Sequence, residues 1–207
     1  MSRWLVLAAL LGGCGGAAPR AELVRAPPTA KEPEAPVAYC VDLHRSRLTV
    51  VAKALGGHYP VKVSRWRGRV ILDRGRAVRL TVRADLKSID AGSEMLTDLV
   101  LSARVLDVEH HPEARFESLS VEPKAGEQVR VVGRLSLRGH TRTVAIPVQV
   151  ERSRRSLRAE ARFTIDRTDF GIRPGGVLGW ALSNDLEIRI RGRARECQTG
   201  SPGMVGE

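Results

Sequence analysis

The sequence predicts an all-β fold, in which about eight antiparallel strands form a closed β-barrel and one amphipathic helix lies over an end. Two patterns support this prediction. Apolar and polar residues alternate through most of residues 47–195, as in strands that bury one face and expose the other. Around residues 93–106 the apolar residues instead recur at helical spacing. A sheet that is apolar on one side must fold over itself, either as a sandwich or as a closed barrel.

The first residues are typical of an export signal. Arg3 supplies a positive charge, and the apolar run over residues 4–11 is too short to span a bilayer. The run ends in the letters LGGC, which resemble the lipobox at which bacterial lipoproteins are acylated. We therefore expect residues 1–13 to be a signal peptide and Cys14 to be the lipidated first residue of the mature protein. A plain signal peptide followed by an accidental cysteine is the alternative.

The residues after Cys14 predict a tethered protein of the cell envelope. Gly15 follows the cysteine, in place of the Asp that resembles an inner-membrane retention signal, so we expect an outer-membrane anchor and a location on the periplasmic side. Residues 14–38 are rich in Pro, Ala and mixed charges and predict a flexible tether. Residues 198–207 predict a disordered tail, which leaves residues 39–197 as the folded domain.

Strands are predicted wherever the alternation is regular. A slip in the alternation near Arg65 predicts a bulge. Residues 166–181, which are rich in Asp, Gly and Pro, predict an irregular connection. The predicted strands cover residues 39–53, 61–72, 76–87, 114–121, 129–138, 144–150, 157–165 and 182–195.

One helix is predicted at about residues 93–106. Ser93 can accept a hydrogen bond from the first turn, and Glu94 lies where the helix dipole favours an acid. Met95 and Leu99, with other apolar residues at the same spacing, form a face that we expect to pack against the sheet. Pro112 prevents any further helix.

The cysteines support closure of the sheet. If Cys14 carries lipid, Cys40 and Cys197 remain, one at each end of the folded region. In an oxidising compartment we expect them to form a disulfide between the first and last strands. That pairing would close a barrel, and two free thiols are the alternative.

The residues predicted to face inward form a hydrocarbon wall without Asp, Glu, His, Lys or Cys. Acid–base or nucleophilic catalysis needs titratable groups that converge in a pocket, so we expect no enzyme, no cofactor and no metal. Small barrels either fill with side chains or hold one small ligand, and an aliphatic wall suits an aliphatic ligand. The candidate lipid-binding residues are Val78, Leu80, Val82, Leu86, Leu99, Val131, Leu135, Ile146, Val148, Phe163, Ile165, Phe170 and Ile188.

The strong positive charge does not predict a nucleic-acid partner. The net charge is +11, but aromatic residues make up only 4% and the arginines alternate along strands instead of clustering. This pattern predicts a solvated outer face, with attraction to anionic lipid as the alternative.

Three short motifs lack the neighbouring residues that their usual chemistry needs. The DFG letters at residues 169–171 match a kinase metal-binding triplet, but the chain is too short for a kinase and lacks its other motifs. The glycine-rich residues 175–179 lack the Lys and Ser or Thr of a phosphate-binding loop. His110 and His111 have no carboxylate or cysteine at metal-ligand spacing.

Several motifs, in order, resemble the YceI-like family of bacterial periplasmic polyisoprenoid-binding proteins. They are residues 42–46 (DLHRS), 66–68 (WRG), 88–92 (SIDAG), 101–102 (LS), 111–118 (HPEARFES), 133–139 (GRLSLRG) and 166–172 (DRTDFGI). The resemblance covers residues 39–196 and implies a lipocalin-like barrel that holds a long isoprenoid or similar amphiphile. The sequence departs from the family at residues 97–101, which lack the usual Arg, and at His111, which replaces the usual Tyr.

We therefore expect an extracytoplasmic, lipid-anchored protein that sequesters or transports a polyisoprenoid-type lipid. Its partners would be that hydrophobic ligand and, through acylated Cys14, a membrane. The second hypothesis is a structural or interaction module with a filled core and a protein-binding surface. The sequence leaves the oligomeric state open.

Overall fold

The computed structural model describes residues 35–197. The predicted signal peptide, the predicted acylation site Cys14, residues 15–34 of the predicted tether and the predicted tail lie outside the described residues. Within residues 35–197, no helix is long and apolar enough to cross a membrane.

The described residues form one antiparallel sheet of eleven strands, together with two α-helices. Neighbours in the sheet follow the order β1-β4-β5-β7-β8-β9-β10-β11-β2-β3-β6. The helices are α1 (Glu94–Leu101) and α2 (Gly176–Ala181). The strands are β1 (Val37–Val41), β2 (Arg47–Ala54), β3 (Gly57–Val63), β4 (Trp66–Asp73), β5 (Arg76–Asp85), β6 (Ile89–Asp90), β7 (Glu113–Pro123), β8 (Gln128–Leu137), β9 (His140–Ser153), β10 (Ser156–Asp166) and β11 (Leu182–Cys197).

The sheet closes because its last strand pairs on both sides. β11 pairs with β10 along one edge and with β1 and β2 along the other. A short 3-10 turn at Leu43–Arg45 separates β1 from β2, so the two segments share one position in the barrel. In the same way β3 pairs with β2 and β6, while β4 pairs with β1 and β5. The eleven segments therefore fill eight positions, and the predicted closed antiparallel barrel is confirmed.

The predicted slip near Arg65 is a break between β3 and β4. The Arg65 backbone N–H donates to Ser88 Oγ at 2.9 Å, and Ser64 Oγ donates to the Ser88 backbone oxygen at 3.0 Å. Ser88 thus replaces the ladder partner that the break removes, and the strand changes direction without leaving these groups unpaired.

Helix α1 begins as predicted but ends at Leu101, whereas the prediction extended it to residue 106. The Leu96 N–H donates to Ser93 Oγ at 3.3 Å, so Ser93 caps the helix. Ser102 has an extended backbone, and its hydroxyl donates to the Leu99 carbonyl at 2.7 Å. This hydrogen bond offers the carbonyl an alternative to a further helical turn, and the helix ends there.

The apolar face of α1 is narrower than predicted. Leu96 and Val100 pack against the main core cluster, but Met95 is 77% exposed. The prediction placed Leu106 on the helix. It lies instead in the turns that follow the helix, and its side chain is buried. The core beneath α1 is therefore completed by irregular chain.

The predicted disulfide is present. Cys40 of β1 and Cys197 of β11 are bonded, with their Cα atoms 5.8 Å apart. The register places Cys40 opposite Arg195 and Cys197 opposite Ala38, so the bridge runs diagonally between the two strands. It therefore fixes the pair of strands at which the barrel closes.

The connection between β10 and β11 is more ordered than the sequence predicts. It contains a 3-10 turn at Arg167–Phe170 and the helix α2. Asp166 starts the turn by accepting hydrogen bonds from the Thr168 backbone N–H at 2.8 Å and from the Thr168 hydroxyl at 2.7 Å. These hydrogen bonds, the hydroxyl bond first, lower the pKa of the Asp166 carboxyl below its usual range.

Arg167 holds this connection over one end of the barrel. Its side chain is buried, with 4% exposed. Its guanidinium donates to four backbone carbonyl oxygens, those of Ile172 at 2.6 Å and of Gly179, Leu182 and Ser183 at 3.1 Å. A buried charge needs such partners, and the carbonyls would otherwise lack donors. One side chain therefore ties the 3-10 turn, α2 and the start of β11 together.

We expect loss of the disulfide to lower stability. The double variant Cys40→Ser/Cys197→Ser, which leaves no free thiol in the domain, should unfold about 2–4 kcal/mol more easily than the oxidised protein. Urea unfolding followed by circular dichroism measures this difference. The reduced wild-type protein is the matched control and should resemble the variant. Equal stability of the oxidised wild type and the variant would contradict this role of the bridge.

We expect Arg167→Met to be destabilising by about 3 kcal/mol or more, because each buried carbonyl that loses its donor costs about 1–3 kcal/mol. The matched control is Arg173→Met, which changes an exposed arginine in the same connection. The same urea experiment compares the two variants. If both shift the unfolding free energy by the same small amount, Arg167 does not hold the connection.

Candidate ligand-binding cavity

The barrel is hollow. It encloses a cavity of about 1270 Å³, larger than the roughly 300–1,000 Å³ of most ligand pockets. The interior therefore does not have the filled core that the second hypothesis required.

The wall of the cavity is built by the alternation that the sequence shows. Along each strand every second side chain points inward. Val78, Leu80 and Val82 of β5 line the cavity in this way, as do Ile146 and Val148 of β9. Strand after strand contributes such residues, so the wall is almost entirely hydrocarbon.

Most of the predicted site residues line the cavity. They are Val78, Leu80, Val82, Leu86, Leu99, Val131, Leu135, Ile146, Val148, Phe163, Ile165 and Ile188. Their positions agree with the predicted wall.

Phe170 is the exception. Its side chain is 1% exposed and is not part of the cavity wall. It ends the 3-10 turn after β10 and packs in the core cluster that contains Trp66, Leu86 and Ile172. The prediction included it in the barrel wall, but the turn places it in this core cluster instead.

Several residues of the wall were not among the predicted site residues. Leu48 and Val50 of β2 and Val61 and Val63 of β3 line the cavity. Their alternation was visible in the sequence. Helix α1 adds Leu96 and Val100, residues four apart and thus on one helix face.

Charged side chains also line parts of the cavity, which the prediction of a purely hydrocarbon interior did not include. Towards α1 the cavity is bordered by Arg167, whose guanidinium is occupied by backbone carbonyls, and by Arg115. Four further charged residues border it where turns join the strands at the opposite end. The alternation of apolar and polar residues along a strand could not identify these four, because they lie in or beside turns. They are Arg76, Lys124, Glu127 and Arg152.

Gly68 and Gly133 lack side chains but leave no free space beside them. A methyl group on Gly133 would overlap the Phe116 ring and would lie 2.6 Å from the Glu117 backbone oxygen. A methyl group on Gly68 would lie 2.6 Å from a methyl carbon of Val41. Neighbouring atoms already occupy both spaces.

The outer wall is solvated and largely ion-paired. Glu187 of β11 accepts hydrogen bonds from Arg189 at 2.7 Å and from Arg162 of β10. These bonds, that of Arg189 first, lower the pKa of Glu187 to about 2. The Asp107 carboxyl, 2.8 Å from His110 Nδ1, raises the pKa of that imidazole. These perturbed groups lie outside the cavity and supply it with no acid–base pair.

Metal coordination finds no support in the part of the chain that the structure describes. There, no three His, Cys, Asp or Glu side chains come together as a metal site would require. His110 and His111 lie near the surface turns before β7.

Solved structures share this fold. The crystal structure of Burkholderia cenocepacia BcnA is 24% identical, with a TM-score of 0.69 over 74% of this chain and 98% of that one. A polyisoprenoid binding domain from Saccharophagus degradans, implicated in plant cell wall breakdown, is 16% identical, with a TM-score of 0.64 over 78% and 99% of the two chains. A Campylobacter jejuni YceI protein is 14% identical, with a TM-score of 0.61 over 67% and 85%.

Sequence comparison identifies the family. Among curated protein sequences no significant match was found. The profile of the YceI-like domain matches residues 39–194, which make up more than half of the chain. The protein therefore belongs to the YceI-like family.

Proposed function

We propose that this protein binds a long-chain isoprenoid or a similar amphiphilic lipid inside the barrel and sequesters or transports it outside the cytoplasm. The proposal rests on the cavity, because its wall is almost entirely hydrocarbon and its volume of about 1270 Å³ suits a long tail. The Saccharophagus degradans structure with the same fold is described as a polyisoprenoid binding domain, which supports the same class of ligand.

The energetics favour a long tail. Each methylene group moved from water to an apolar wall contributes about 0.8 kcal/mol. A wall made by strands from all sides of the barrel offers this contribution along the whole tail. Because it presents no converging acid–base groups, the wall suits binding and release without a reaction.

The proposed location rests on the N-terminal sequence. Residues 1–13 would direct export, and acylated Cys14 would anchor the mature protein in the outer membrane, facing the periplasm. Residues 15–38 would then connect the barrel to its anchor, which keeps it close to a source of lipid.

A bulky residue inside the barrel should block lipid binding. Ala161 of β10 lines the cavity between its register partners on the adjacent strands, Val148 of β9 and Ile190 of β11. Ala161→Trp would therefore place an indole where a tail would lie. The matched control is Ala145→Trp, because Ala145 of β9 is exposed. We expect Ala161→Trp to weaken binding of a fluorescent polyprenol about tenfold or more, which is about 1.4 kcal/mol, and Ala145→Trp to leave it unchanged.

Circular dichroism would verify that both variants remain folded. Wild-type protein that binds no polyprenol would disprove the proposal. Equal binding by the two variants would show that the lipid does not occupy the barrel.

Removal of the acylation site tests the anchor. We expect Cys14→Ser, expressed in a bacterium with two membranes, to abolish incorporation of labelled fatty acid, because no thiol remains to be acylated at that position. The variant should also leave the membrane fraction. Unchanged fatty-acid labelling would show that Cys14 is not the lipidated residue.

A further inference from the structure

Three turns form the end of the barrel opposite to α1. They join β4 to β5, β7 to β8 and β9 to β10, and the antiparallel order brings them to the same end. Two hydrogen bonds link them. Arg152 Nη1 donates to the Gly75 carbonyl at 3.2 Å, and the Val150 N–H donates to the Glu127 carbonyl at 2.8 Å. Together the turns form one surface, the turn face, which consists of residues 73–76, 123–128 and 152–156.

The turn face is strongly basic. It contains six basic residues and two acidic ones, which leaves a net charge of +4. All six basic residues are exposed to solvent. The basic residues are Arg74, Arg76, Lys124, Arg152, Arg154 and Arg155, and the acidic residues are Asp73 and Glu127.

Much of this positive charge is unpaired. Within residues 35–197, Arg74, Arg154 and Arg155 form no ion pair, whereas Arg158 of the next strand lies 3.3 Å from a carboxylate oxygen of Glu151. Neighbouring charges of one sign add to the same local potential, and that potential attracts surfaces of the opposite sign. The turn face is therefore available to an anionic partner.

The α1 end of the barrel carries the opposite sign of charge. Residues 86–112, which include α1, contain five acidic residues and two basic ones, a net charge of −3. Asp90, Glu94 and Asp98 are exposed. Met95 is also 77% exposed, so this end presents an apolar side chain as well. An anionic surface would nevertheless repel these carboxylates, and the barrel therefore has one end that fits such a surface and one that does not.

The chain enters the barrel beside the turn face. The structure describes the chain from residue 35, and β1 begins at Val37. Val37 is the register partner of Leu72, the residue that directly precedes the turn face. An anchor that precedes β1 in the sequence, such as the proposed one at Cys14, is therefore joined to the barrel at its basic end.

We propose that the turn face docks on an anionic bilayer surface and orients the barrel with its turns against the lipid head groups and α1 away from them. Charge complementarity favours this partner, because each Lys or Arg close to an anionic leaflet adds to the attraction. Attachment of the chain at the same end lets the anchor and the turn face bind one membrane together. The proposal concerns the outer surface of the protein and does not depend on what the cavity holds.

Vesicle cosedimentation tests the docking without the anchor. The protein used is the unlipidated chain from Gly15 onward, which keeps all of residues 35–197 and thus the whole barrel with its disulfide. One set of vesicles contains equal parts of phosphatidylcholine and phosphatidylglycerol, and the other contains phosphatidylcholine alone. We expect about tenfold or more tighter binding to the anionic vesicles, and we expect this preference to shrink as salt rises.

Two triple variants separate the turn face from the overall charge. Arg74→Gln/Arg154→Gln/Arg155→Gln should weaken binding to the anionic vesicles about tenfold or more. Its affinity for a polyprenol should be unchanged, because none of the three residues lines the cavity. The control removes the same charge from exposed residues at the α1 end and should bind the vesicles like the wild type; it is Lys87→Gln/Arg104→Gln/Arg142→Gln.

A fluorescent label reports the orientation. Because Cys40 and Cys197 are bonded and Cys14 is absent, an introduced cysteine is the only free thiol in this chain. Ser153→Cys places a label on the turn face, and Ala103→Cys places one on an exposed residue after α1. With a quencher on the lipid head groups, we expect the label at residue 153 to be quenched strongly and the label at residue 103 weakly.

Each contrary outcome overturns the docking. Equal binding of the wild type to both kinds of vesicle would do so, as would undiminished binding by the first triple variant. An equal loss in the control variant would show that only the overall charge matters. Stronger quenching at residue 103 would show the reverse orientation, and tighter binding to a short DNA duplex than to anionic vesicles would assign the turn face to nucleic acid. Failure of the wild type to bind a polyprenol would instead refute the proposed function alone.

Discussion

Pairing of β11 with β1 and β2 closes the sheet, and the other features of the molecule depend on that closure. Each strand presents hydrocarbon to one side only, so a closed ring turns all of that hydrocarbon inward and leaves no edge along the ring. The Cys40–Cys197 bridge lies at this junction. Because the ring is wide, its inward side chains do not meet in the middle, and a cavity of about 1270 Å³ remains.

The two ends of the barrel differ in construction and in chemistry. At one end, Arg167 ties the connection between β10 and β11 in place, and α1 contributes Leu96 and Leu99 to the wall. At the other end, turns supply Arg76 and Arg152 beside an otherwise hydrocarbon interior. The cavity is therefore polarised along its length, which is a property that suits an amphiphile better than a plain hydrocarbon.

The sequence predicted the barrel and most of its wall because alternation along a strand is a local pattern. Features that leave no periodic pattern in the sequence were not predictable. Ser102 ends α1 through a hydrogen bond that periodicity does not show, and Phe170 packs in the core because it ends the 3-10 turn after β10. The hydrogen-bond partners of Arg167 are backbone carbonyls, and because every residue has one, the sequence does not indicate which of them Arg167 binds. Gly133 has no side chain, and Phe116 from the neighbouring strand fills the space beside it.

We infer that the hollow barrel of this YceI-like protein holds a lipid. Native mass spectrometry of the protein purified from bacterial membranes in mild detergent tests it most directly. We expect a folded species heavier than the polypeptide by the mass of one hydrophobic molecule, which organic solvent removes and which a prenyl lipid restores. A folded protein that always has the mass of its covalent chain and takes up no prenyl lipid would contradict it.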